Sequence, residues 1–159
     1  MYLTKITIIM DTKDQVKGLN KIITTLYDGE NGYKNAAEDI DSTTLATKFR
    51  DLSQQRYNFG HEIKPLITKL GGEVDKGGST GAALHRAWID IKSTVATQDE
   101  EAIINECVSG DESAIDTYKE VLKDNVFSAD ARQVLTRQLD QLEKTVTELK
   151  QMATTYKNA

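Results

Sequence analysis

Apolar residues recur at alternating steps of three and four along most of this chain, and that rhythm constrains the fold more than any other feature. Val16, Leu19, Ile23, Leu26, Tyr33, Ala37 and Ile40 form one series, with Glu30 on a core position. Leu45, Phe49, Leu52, Phe59, Ile63, Leu66 and Leu70 form a second around Arg56. Ile104, Cys107, Ala114, Tyr118 and Val121 surround Asp111 in a third, and Leu135, Leu142, Thr145, Leu149, Met152 and Tyr156 accompany Gln138 in a fourth. Such spacing puts each series on one stripe of an α-helix, the seam along which bundled helices meet. Four long helices are expected, over 13–39, 43–70, 98–123 and 128–156. Their starts are marked by the capping boxes Thr12 with Gln15 and Thr97 with Glu100, and by Ser42 and Ser128 as N-caps. Gly71-Gly72 closes the second helix.

Short turns make the first two helices one antiparallel hairpin and the last two another. The connection between the hairpins is long, and its stretch "GAALHRAWIDIKSTV" sets Leu84, Trp88, Ile91 and Val95 on one face. That predicts a fifth helix over 80–96, travelling about 22 Å along the outside of the bundle. His85, Arg86, Asp90 and Lys92 would face water. The expected architecture is all-α: hairpin, crossover, hairpin. A length of 159 residues fits one domain, read as 12–157 behind a flexible tail at 1–11, with Met1 or Met10 as the start. The apolar run in that tail is far too short to span a membrane.

Twenty Lys and Arg against 25 Asp and Glu give a net charge of −5, with both signs interspersed, so no basic face offers itself to nucleic acid. Cys107 is the only cysteine; an internal disulfide is excluded and a reducing, cytoplasmic setting fits. On the seam it reads as a small buried hydrophobe.

The stretches "LNKIITTLYDGENGY", "LGGEVDKGGSTGAALHRAWIDIK" and "IINECVSGDESAIDTYKEVL" resemble a bacterial ferritin-like four-helix-bundle family of unknown function. Its members carry Asp-Gly-x-x-Gly-aromatic in the first helix and Leu-His-Arg-x-Trp in the crossover. The resemblance implies a ferritin-like fold and leaves the activity unassigned.

A di-iron centre in that fold takes Glu-x-x-His from two of its helices. None occurs here: the histidines are His61 and His85, and three residues after Glu62 stands Pro65, which cannot ligate and should disturb the helix around His61. Glu30, Glu62, Glu106 and Glu112 remain as an all-carboxylate alternative for iron or manganese. Counted from the first turn, however, Glu30 lies about 17 Å down the bundle and Glu62 about 31 Å. The same ruler brings Glu30, Arg56, Asp111 and Gln138 to one level, as a central polar layer with one residue per helix. Gly29 and Gly32, each costing about 1 kcal/mol against alanine in a helix, form a small-residue stripe with Ala36 into which Trp88 is expected to pack.

Two functions follow. The first is a non-catalytic bundle, without a cofactor, that acts through self-association as a dimer or through a protein partner, in a stress response as ferritin-like relatives do. The second is a metal-binding protein or oxidase with an unconventional carboxylate site.

Overall fold

The structure, a computed structural model, describes residues 2–76, 87–124 and 126–158. Five helices are present among the described residues: α1 (Tyr2–Asp39), α2 (Thr43–Lys69), α3 (Ile91–Ala96), α4 (Glu100–Leu122) and α5 (Ala129–Lys157). No strand occurs among the described residues, and none of their helices is long and apolar enough to cross a membrane.

The four long helices close a ring in which α1 packs on α2 and α4, and α5 packs on α4 and α2. Every neighbouring pair is antiparallel, as the cross-links between them show. Lys48 meets Glu148 and Glu62 meets Arg137 between α2 and α5, while Lys119 meets Glu143 and Glu112 meets Lys150 between α4 and α5. The seam residues of all four series fill the centre, including Leu19, Ile23, Phe49, Ile63, Ile104, Leu135, Leu142 and Leu149. α2 and α4, diagonal across this core, run parallel and are not neighbours.

The path between the hairpins explains that parallel pair. α2 ends in a Schellman turn: Gly71, at φ +79°, donates to the Thr68 carbonyl, and Gly72 donates to that of Ile67. The following loop is tied to the early part of α1, where Asn20 donates to the Glu73 carbonyl at 2.9 Å and accepts from the Asp75 amide at 3.0 Å. At the far end Gln98 bridges the Asp39 carbonyl and the Asp41 amide beside the α1–α2 turn. About 20 residues of α1 separate the two anchors, so the chain is carried about 30 Å along that helix before α4 begins.

Several expectations change. α1 begins at Tyr2, not at 13, and includes residues assigned to a tail; once a helix exists each added residue gains one hydrogen bond, and Thr12 is passed as an interior position. Of the crossover helix expected over 80–96, the described part is helical at Ile91–Ala96, which packs on α1 and α4. Residues 87–90 form turns, while Leu84, His85 and Arg86 lie outside the described residues. α2 stays helical through Pro65. The capping box at Thr97 is replaced by Asp99, whose Oδ1 accepts from the Ala102 amide at 3.1 Å, while Thr97 donates backwards to the Thr94 carbonyl. Ser42 and Ser128 cap α2 and α5 as their positions suggest. Asp99→Ala should therefore destabilise the protein by about 1 kcal/mol in urea unfolding, and Glu100→Ala by much less.

Candidate functional site: a buried ion pair and the indole beside it

Arg56 of α2 and Asp111 of α4 are 1% and 0% exposed and face each other across the diagonal of the ring. The guanidinium donates through Nη1 to Asp111 Oδ1 at 2.6 Å and through Nη2 to Oδ2 at 3.1 Å, the fork geometry that suits a carboxylate best. Its Nε donates to Gln55 Oε1. Tyr33 of α1 donates its hydroxyl to Asp111 Oδ2, and its ring lies 5.3 Å from the guanidinium carbon. Burial, the largest single influence, would make Arg56 easier to deprotonate, but the charge and hydrogen bonds of Asp111 together with Tyr33 and Tyr118 outweigh it and hold the charge more firmly in place. This is a buried ion pair with its donors and acceptors met.

Gln138 is buried close by on α5 but belongs to an adjoining network. Its Oε1 accepts from the Tyr118 hydroxyl at 2.7 Å, and its Nε2 donates to the Phe59 carbonyl at 3.2 Å and to Glu62 Oε1 at 3.4 Å. Glu62 in turn pairs with Arg137, which carries the network to the surface.

Glu30 does not share the ion pair. Its side chain is half-buried on the α1–α2 seam and makes no ion pair among the described residues. Partial burial raises its pKa above the ordinary carboxylate value, against the pull of Lys64, Lys34 and His61. Asp111 binds both guanidinium arms, so Arg56 needs no second acid, and at the seam edge Glu30 keeps access to water.

The two glycines of "DGENGY" face different side chains, and only Gly32 has to make room for its neighbour. A Cβ on Gly29 would stand 3.6 Å from the Arg56 stem, an ordinary contact. On Gly32 it would stand 2.2 Å from Trp88 Cε3, and on Gly110 of α4 2.3 Å from Trp88 Cε2. The indole is thus wedged between two helix backbones, with Tyr33 edge-on at 5.0 Å. It seats α3 and stands beside the aromatic side of the ion pair.

The carboxylates considered as metal ligands are occupied or dispersed. Glu62 serves Gln138 and Arg137, Glu112 is exposed and pairs with Lys150 at 2.9 Å, and Glu106 is half-buried elsewhere on α4. Among the described residues no three His, Cys, Asp or Glu side chains gather to hold an ion. His61 is exposed against Tyr57, and His85 lies outside the described residues. Cys107 is fully buried, and burial, with Asp111 and Glu106 nearby, pushes its thiol well up, away from the reactive thiolate.

Three residues of this site do not stand out in the sequence. Tyr33 and Tyr118 count there as apolar seam members, although a buried phenol needs a hydrogen-bond partner, and their facing Asp111 and Gln138 were the available signal. Gly110 has the same signal as Gly29, a glycine in mid-helix next to a polar seam residue.

Residues 14–124 match a family described as a domain of unknown function (DUF2383). The chain belongs to that family. The matched stretch holds Tyr33, Arg56, Trp88, Asp111, Tyr118 and both glycines of the wedge, whereas Gln138 and Arg137 of α5 lie beyond it. No curated protein matches the sequence.

The two buried phenols supply a test that needs no mutation. Burial holds Tyr33 and Tyr118 neutral, with pKa values well above the ordinary 10. Their unfolded values lie near 10, so the neutral phenols favour the fold fully below that pH and the advantage is lost as pH rises beyond it. Ultraviolet titration should show only part of the tyrosine absorbance change while the protein is folded, the rest appearing together with loss of helical circular dichroism.

Proposed function

We propose that this chain is a non-catalytic ferritin-like helical bundle that acts by associating with a second copy of itself. Support for the ferritin-like arrangement comes from the crossover along α1, which leaves two antiparallel hairpins with α2 and α4 parallel. The observation that carries the non-catalytic reading is the Arg56–Asp111 pair at the centre. Ferritin-like metal enzymes set carboxylates and histidines there, facing inward from all four helices. Here Asp111, the buried carboxylate among the described residues, is bound by a guanidinium, whose charge repels a cation; Tyr33 donates to the same carboxylate, and Tyr118 and the Gln138 amide are engaged with each other. The resemblance in sequence adds a stress response as the physiological setting.

Calorimetric titration with Fe(II) and with Mn(II), alongside sedimentation velocity, tests this reading. A self-associating protein that takes up no stoichiometric metal is the expected outcome. Stoichiometric binding that disappears in Glu62→Gln or Glu30→Gln would establish the carboxylate metal site in its place.

A further inference from the structure

Charges on the α1–α2 seam are treated differently from those elsewhere. Lys21–Glu120 spans α1 and α4, and two ion pairs each span α2–α5 and α4–α5. Among the described residues none spans α1 and α2. Yet Glu30, Lys34 and Glu38 of α1 and Arg50 of α2 line one groove there, of about 640 Å³.

Glu30 and Tyr57 of this groove also border a second, smaller space beside it. Tyr57 is 45% exposed, with His61 edge-on at 4.5 Å. Three residues further along α2, Gly60 is buried, and among the described residues no atom beyond its own helix backbone stands within 4 Å of where its Cβ would be. Gly18, Gly32, Gly72 and Gly110 each face a side chain that fills the corresponding place. At Gly60 the space remains as a cavity of about 100 Å³, which Tyr57, Glu30 and Lys64 border. A helix-interior glycine is unfavourable, and no packing among the described residues requires this one.

Resting on the self-association just proposed, we infer that the α1–α2 face is where two copies dock about a two-fold axis. Tyr57 of each copy enters the space over Gly60 of the other, and Lys34 and Arg50 meet Glu30 and Glu38 across the axis. A two-fold interface must complement itself, residue i meeting j and j meeting i. A ring and a hole one helical turn apart satisfy that, and so do unmatched charges of both signs on one face. The face is large enough: α2 has 27 residues, so two helices side by side present about 40 Å by 20 Å, close to the roughly 800 Å² per partner of a standard interface.

Sedimentation velocity over a concentration series tests the surface. The unmodified chain should dimerise, and Tyr57→Asp and Arg50→Glu should each raise the dissociation constant at least about tenfold. Gly60→Ala should weaken the dimer while raising the midpoint of urea unfolding at monomeric concentrations, since alanine is the better helix former. A glycine kept for internal packing would not move those two readouts in opposite directions. A dimer unaffected by all three substitutions overturns this surface and leaves self-association standing; a chain monomeric throughout the series overturns both.

Discussion

Asp111→Ala is expected to destabilise the fold by about 3–5 kcal/mol, the effect of leaving one partner of a buried ion pair uncompensated. Arg56 is 1% exposed, and the remaining acceptor it holds, Gln55 Oε1, engages only Nε. Removal of Asp111 also strands the Tyr33 hydroxyl. Replacing both charges, as Arg56→Met with Asp111→Leu, should recover much of the loss, because apolar residues of similar volume often serve a core as well as an ion pair. Urea unfolding of the two single variants and the double variant gives the coupling directly. Additive effects would show that the two residues act independently.

The second large effect centres on Trp88. Its indole lies against two glycines on different helices, so Gly32→Ala places a methyl where Trp88 Cε3 now stands. Overpacking of this kind costs about 1–3 kcal/mol, more than the helix propensity that alanine gains. Trp88→Ala should cost about 3–5 kcal/mol. In that background Gly32→Ala should turn neutral or stabilising, since the clash is gone and the propensity remains. Trp88 is the only tryptophan, so its fluorescence reports the movement in Gly32→Ala without a label.

Helix faces were legible in the sequence because burial repeats with the period of the helix: the apolar seam residues from Leu19 to Ile40 and from Leu45 to Ile63 are buried as spaced, whereas Leu66 and Leu70 are half-buried and Ile67 takes the core position beyond Ile63. The level of a polar residue along the bundle was legible too: Arg56 and Asp111 come from distant segments and meet. What spacing could not give was which way a seam residue leans. Glu30 and Asp111 occupy equivalent positions in their series, but Asp111 points into the diagonal and Glu30 towards the groove, a choice made by the packing of all four helices together. Helix ends were hidden for a local reason. Thr97 and Asp99 both suit an N-cap, and the positive φ of Gln98, at 53°, turns the chain so that Asp99 takes the position. The Gly60 cavity has no sequence signature at all, since a glycine with an empty flank and one with an indole against it are the same letter.

On the proposed function the central ion pair serves the fold and the outer face serves association. The most direct measurement is sedimentation velocity of the Asp111→Asn variant, which weakens the central pair without changing a residue that borders the Gly60 cavity, with circular dichroism to confirm its helices. A folded dimer with the dissociation constant of the unmodified chain is the predicted result; a fully helical variant that no longer associates would contradict it.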